Sequence, residues 1–302
     1  VPSAMLVSAI TSMSGVGQFS RVELDRMLAG KVVSVSPYVG EFDEGFSGSS
    51  SPDDLEIMLQ LIYLYFTNPR FDQAAFNAYM SRLQAVFQNT ATNPNAIFSD
   101  SINFISNNRH YRKRPLNVDL LREVDYERLR EIYMDRIKDA SDFTFVFVGN
   151  FDYEEIKPLV ETYLGSISSI GREETWRDNQ VRFPEGENRL AFQVPMRDPK
   201  SSCFVAYSAK AEFSRMNNLL LSTINHILDL RYIETIREDE GGTYGVGVRA
   251  SLSQRPKEGV MVNMFFDTDV EKAEYLVSII HRELRKIMEE GPSDDDLLKA
   301  KE

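Results

Sequence analysis

A pair of glycines near the C-terminal end of the sequence separates a predicted helix from a predicted strand. Gly241 and Gly242 follow an apolar-periodic segment at about 214–236 and precede a segment of alternating residues at 244–252. Glycine allows the backbone to turn sharply where a side chain would clash. The pattern therefore predicts a helix that passes through a tight turn directly into a strand.

Two hydrogen-bond donors flank this turn. Arg237 lies on the helical side and Tyr244 on the strand side. A guanidinium and a phenol in these places can both point at one carbonyl oxygen or one developing oxyanion. The segment is also compatible with a plain helix-to-strand connection that carries a surface arginine and a half-buried tyrosine. Spacing alone leaves both interpretations open.

Bulk composition excludes some classes of partner. The 302 residues predict two domains of ordinary size, and a hydrophobic content of 42% is enough for sizeable cores. A net charge of −12 disfavours nucleic acid, so the short basic segment 109–114 is interpreted as a solvated loop. No apolar run is long enough to span a bilayer. Cys203 cannot form an intrachain disulfide because it is the only cysteine, and both the bacterial periplasm and the cytoplasm stay open as compartments.

Helical and strand-like segments alternate throughout the chain, which predicts a layered α/β organisation. A charged segment rich in Gly, Ser and Pro lacks periodicity and predicts a linker at 171–187, between a first domain at 1–170 and a second at 188–302. A continuous apolar run at 143–148 predicts a buried strand. Further strands are predicted at 32–39, 42–46, 189–194, 202–208 and 260–267.

The two parts of the chain repeat one outline. Each contains a helix, a glycine-marked turn, two strands, a helix that begins with acidic residues and a proline break. This repetition indicates a duplicated α/β unit. The first unit lacks strands before its first helix and the last helix is cut short, so we expect a fragment truncated at both ends. The corresponding positions are Gly30 and Gly241, Asp53 and Asp269, and Pro69 and Pro292.

Three features together resemble the pitrilysin and insulin-degrading-enzyme family of zinc peptidases. One is Arg237-x6-Tyr244 with two glycines between, another is Phe-x-Phe-Val-Phe-Val-Gly-Asn-Phe-Asp at 143–152 running into 160–165, and the third is the duplication. The resemblance implies an α+β fold of two tandem related domains, each a mainly antiparallel sheet with helices packed on one face. It also implies that the chain corresponds to the C-terminal half, which does not bind zinc.

The zinc motif of the family is absent from this sequence. Members of the family bind zinc through His-x-x-Glu-His and a distal glutamate. Here His110, His226 and His281 lie far apart and form no such motif. A catalytic zinc usually takes three protein ligands, so we expect no cofactor in this chain and zinc in a complementary half. The fragment alone is therefore expected to cleave nothing. The acidic run 294–296 is interpreted as the start of a helix rather than a metal site.

The resemblance implies a role for each residue of the turn. Arg237 and Tyr244 would bind the substrate backbone and stabilise the tetrahedral intermediate, and Gly241, Gly242 and Thr243 would contact substrate. The expected partners are a half that contains His-x-x-Glu-His, in the same polypeptide or in another subunit, and a peptide or small protein as substrate. The alternative is a non-catalytic binding or scaffold subunit of the same superfamily.

Overall fold

A computed structural model describes residues 2–243 and 245–300 of the chain. These residues pack as two compact units: one from residues 2–91 and 116–177, the other from residues 92–115, 178–243 and 245–300. The division describes packing, so the predicted domain bounds and the predicted linker at 171–187 stay predictions. None of the helices in the described residues has the length and apolar character that a membrane crossing needs.

Helices and antiparallel strands make up both units. The helices are α1 (Pro2–Ser14), α2 (Arg21–Met27), α3 (Leu55–Thr67), α4 (Gln73–Thr90), α5 (Pro94–Ser106), α6 (Val118–Arg122), α7 (Tyr126–Ile137), α8 (Tyr153–Tyr163), α9 (Arg215–Tyr232), α10 (Ala273–Glu290) and α11 (Asp294–Lys299). A π-helix at Ile233–Asp239 directly continues α9. The strands are β1 (Val33–Val39), β2 (Glu44–Ser50), β3 (Ser201–Ala209), β4 (Val246–Ser253) and β5 (Gly259–Thr268).

The core of the first unit lies between helices and the β1–β2 hairpin. The hairpin is antiparallel, and α1 and α3 pack against it with apolar side chains such as Ile10 and Leu59, both fully buried. Tyr133 of α7 is also buried, and its hydroxyl donates to the carbonyl of Tyr65 at 2.9 Å. Because a buried hydroxyl needs a partner, this bond allows a tyrosine inside the core.

Two strand predictions are wrong. The run 143–148 joins no ladder in the described residues: Phe143 and Phe145 pack on the core, whereas Val146 and Val148 are 78% and 94% exposed. The segment 189–194 likewise has no regular secondary structure. Apolar residues reveal a tendency to be buried, but not which backbone pairs with them or which face receives a covering layer.

The second unit contains a three-stranded antiparallel sheet in the order β3-β5-β4 within the described residues. Met264 of the central strand pairs with Val205 on one side and Val248 on the other. Its alternate residues Met264 and Phe266 are buried with side chains of α9 and α10, while Phe265 between them points away and is 44% exposed. This layering confirms the predicted fold class, a mainly antiparallel sheet with helices packed on one face.

Candidate functional site

Arg237 lies on the π-helix that ends the long helix of the second unit. The sequence predicted one helix to residue 236, but the helix widens after Tyr232. A π-helix accommodates extra residues per turn and is common at functional sites. Arg237 is exposed, and within the described residues its guanidinium makes no hydrogen bond or ion pair. It therefore presents its donors to solvent.

The two glycines end this helix for different physical reasons. Gly241 has φ +53°, a left-handed conformation that side chains disfavour. Gly242 instead lies against the buried side chain of Leu276: a Cβ at this position would stand 2.7 Å from Cδ1 of that leucine. The N–H of Gly242 donates to the carbonyl of Ile236 at 3.1 Å and closes the helix. The tight turn predicted from the sequence is therefore confirmed.

Two threonine hydroxyls attach the turn to the end of β5. The hydroxyl of Thr268, which is buried, donates to the carbonyl of Gly242 at 2.5 Å. The hydroxyl of Thr243 lies 2.6 Å from the carbonyl of Asp267 and 2.9 Å from that of Gly245, and its single proton serves one of them at a time. It also accepts from the N–H of Gly245 at 3.2 Å. Gly242 and Thr243 of the turn are thus both hydrogen-bonded to the end of β5.

Charged and hydroxyl groups surround the turn. The hydroxyl of Tyr275 donates to Glu240 at 2.8 Å, and this hydrogen bond raises the pKa of the phenol. Burial opposes ionisation of Asp267, but hydrogen bonds from Lys200 and Ser202, each at 2.6 Å, outweigh burial and lower the pKa of that carboxyl. Asp267 therefore links two segments: its ionised carboxylate binds the start of β3, and its backbone carbonyl binds the turn.

Tyr244, the second predicted catalytic residue, lies outside the described residues. The structure therefore places Gly241, Gly242 and Thr243 in the turn that follows the π-helix of Arg237, while the pairing of Arg237 with Tyr244 stays a prediction. Sequence reasoning missed Thr268, which reaches the turn from 26 residues away. No local pattern indicates such a contact, because it depends on how β5 aligns with the helix end.

The histidines do not fit a catalytic zinc. His110 accepts at Nδ1 from the N–H of Arg112, and His281 contacts the hydroxyl of Tyr207. His226 lies on an exposed face of α9. Among the described residues no group of three or more potential ligands converges. Since a catalytic zinc usually takes three protein ligands, no metal-dependent step is assigned to these residues.

The candidate site lies in a part of the chain that is similar to known proteins. The family model described as the peptidase M16 inactive domain matches residues 123–302. The zinc protease PQQL-like of Arabidopsis thaliana is 24% identical over 259 residues, which cover 81% of the chain and 27% of the relative. The probable zinc protease PqqL of Haemophilus influenzae is 21% identical over 296 residues, which cover 97% of the chain and 31% of the relative.

A solved structure shares the fold. The periplasmic protease PqqL from Escherichia coli matches with a TM-score of 0.83 at 19% identity, over 99% of this chain and 34% of that one. At such low identity the likeness shows the fold alone. The chain spans less than a third of the length of the two curated relatives.

Proposed function

Because the chain belongs to the M16 peptidase family, through the domain described as inactive, we propose that it is one half of a zinc-dependent endopeptidase. In this proposal it binds peptide substrate and completes an active site whose His-x-x-Glu-His motif lies outside the chain. Family membership confirms the resemblance to the pitrilysin and insulin-degrading-enzyme family. The half that contains the zinc motif would belong to the same polypeptide or to a partner subunit.

The observation that carries the proposal is that the guanidinium of Arg237, exposed near the end of the π-helix, has no hydrogen-bond or ion-pair partner among the residues that the structure describes. An arginine held this way keeps its donors available for a substrate carbonyl or for the oxyanion that develops when the carbonyl is attacked. Charge-assisted hydrogen bonds to such an oxygen are among the stronger ones in proteins. Tyr244 would add a second donor, as the family resemblance implies.

The remaining residues of the turn would act in different ways. Gly241 is exposed and Thr243 is half-buried, so the backbone of both residues can approach an extended peptide. Gly242 is buried, and both its N–H and its carbonyl are already bonded within the chain. It would therefore contribute by shaping the turn rather than by donating to substrate.

Zinc-dependent peptide cleavage by the full-length protein tests the proposal. We expect Arg237→Ala and Tyr244→Phe each to lower kcat by roughly 100- to 1,000-fold, the usual effect of removing one oxyanion donor, with bound zinc unchanged. Arg215→Ala is the matched control: it removes an exposed arginine from the start of the same helix, about 30 Å away along the axis. This variant is expected to cleave at the wild-type rate.

The opposite result would favour the alternative role. If Arg237→Ala and Tyr244→Phe both cleave at wild-type rates, the two residues are structural and the catalytic proposal fails. A full-length protein that neither contains nor binds a His-x-x-Glu-His half would likewise indicate a binding or scaffold subunit.

A further inference from the structure

A turn made of two glycines has little conformational preference of its own, so its geometry has to come from outside. Glycine populates both signs of φ with similar ease. In this protein the fixing groups are hydroxyls from β5 and from the turn itself. We propose that Thr268 is a positioning residue: its hydroxyl holds the Gly242 carbonyl and thereby sets the direction from which Arg237 meets substrate. The inference rests on the proposed function.

Gly242 connects the helix end to the sheet through its two backbone groups. Its N–H is bonded to the carbonyl of Ile236, the residue before Arg237, and its carbonyl is bonded to Thr268. The side chain of Thr268 is 6% exposed at the last position of β5, so water does not readily replace its hydroxyl. A path of two hydrogen bonds therefore runs from the sheet to the backbone next to the predicted catalytic arginine.

The sheet end that supplies this hydroxyl is itself fixed. Thr268 pairs with Ser201 in the ladder between β5 and β3. The neighbouring Asp267 accepts from Lys200 and Ser202 through its carboxylate, while its carbonyl lies 2.6 Å from the Thr243 hydroxyl. The turn is thus bonded at two successive positions to a strand end that has hydrogen bonds of its own, an arrangement that suits preorganised donors.

The hydroxyl of Thr268, rather than its bulk, is the group assigned this role. Valine has nearly the same shape but no donor, so Thr268→Val would leave the Gly242 carbonyl without its partner. Serine keeps the donor in a smaller side chain. A misplacement of about 1 Å in a catalytic group can cost about 100-fold in rate, so loss of this single bond is expected to reach the chemistry.

Kinetics of the full-length protein, with zinc content and Tm measured in parallel, test the inference. We expect Thr268→Val to lower kcat by about 10- to 100-fold with bound zinc retained and Tm lowered by only a few degrees, and Thr268→Ser to stay near wild type. The control is Thr223→Val, which removes a hydroxyl bonded to the Leu219 carbonyl within α9. This control is expected to leave kcat unchanged.

A double-variant cycle separates positioning from general damage. If Thr268 acts through Arg237, then Thr268→Val lowers kcat by less than about twofold in the Arg237→Ala background, because effects of residues that act as a unit do not add. Full additivity of the two losses overturns the inference, as does a wild-type kcat in Thr268→Val. Should Thr268→Val not fold, loss of kcat in a folded Thr268→Ser overturns it as well.

The same data keep the two proposals apart. Wild-type cleavage by Arg237→Ala removes the proposed function and the inference together. Loss of activity in Arg237→Ala combined with normal activity in Thr268→Val removes only the inference.

Discussion

Substitution of Gly242 by alanine is expected to destabilise the second unit through a clash with one identified side chain. The new Cβ would stand 2.7 and 2.8 Å from the two terminal methyl carbons of Leu276. Carbon atoms in good contact are about 3.5–4.0 Å apart, so the overlap is about 1 Å. Leu276 is fully buried in the core of the second unit, so its methyl groups could move away only by displacing the side chains packed around them.

The magnitude follows from two opposing terms. Overpacking of a filled core costs about 1–3 kcal/mol. The φ of Gly242 is not in the left-handed region, so alanine can adopt it without strain. Alanine also lowers the conformational entropy of the unfolded chain, which stabilises the folded state by about 0.4–1 kcal/mol. The net loss in the free energy of unfolding is therefore expected to lie between about 0 and about 2.6 kcal/mol, with a central value of about 1.3 kcal/mol.

A second substitution isolates the clash. Leu276→Ala removes both methyl carbons and by itself costs about 2–5 kcal/mol. In that background Gly242→Ala is expected to be neutral or stabilising by up to about 1 kcal/mol. Gly241→Ala provides the contrast: nothing lies within 4 Å of its Cβ position, and its cost of about 1–2 kcal/mol comes from the left-handed φ. That cost should not depend on Leu276.

Native-state hydrogen exchange at the amides of β4 and β5 in the full-length protein measures these energies, because it reports the opening of the second unit without requiring the whole protein to unfold in two states. The steric explanation is refuted if Gly242→Ala costs the same in both backgrounds, or if it stabilises the wild-type protein.

Two further predictions concern ionisable groups of the second unit. Arg231 donates to Asp296 at 2.6 Å, and this contact, with hydrogen bonds from Ser293, holds the pKa of Asp296 well below its usual range. A depressed carboxyl pKa stabilises the folded state above the unfolded value of about 3.9 and loses that effect as pH falls below it. We therefore expect α11 amides to lose protection progressively as the pH falls below about 5, down to the depressed pKa of the folded state. Asp296→Asn should cost about 2–3 kcal/mol at neutral pH and flatten this dependence, and an unchanged pH dependence in the variant would contradict the assignment. Burial raises the pKa of Cys203 to about 11, so its thiolate fraction at pH 8 is roughly 200-fold smaller than that of a free thiol with a pKa of about 8.5, and its reaction with a thiol reagent is expected to be slower, by less than this factor because a thiolate of higher pKa is more nucleophilic. Unfolding in urea should remove the difference, and equal rates before and after unfolding would show that the thiol is not protected.

The elements that the sequence predicted well are those whose signal is local. The proline and acids at 52–54 predicted the start of α3, and a short 3-10 turn there leads directly into that helix. The glycines predicted the turn after the long helix, and Gly241 has the left-handed φ that such a turn requires. The motifs around 143–152 and 237–244 carried the family resemblance, which the family model confirms.

The errors have a common origin in contacts between distant residues. The segment 143–148 has the composition of a buried strand, yet only alternate side chains reach the core. The segment 189–194 was predicted as a strand, yet it has no regular secondary structure. Neither fact is encoded in a window of neighbouring residues, because both depend on which distant backbone lies alongside.

Family and fold class are therefore properties that the sequence alone determined, since each depends on residue type and spacing along the chain, while the donor roles of Arg237 and Tyr244 stay predictions. The tertiary structure decided how the turn is held. It brought Thr268 to the carbonyl of Gly242 and placed Leu276 where a Cβ would stand. Helix ends and turns follow from local backbone energetics, whereas the partners that fix them come from strand alignment and core packing, which only the folded chain brings together.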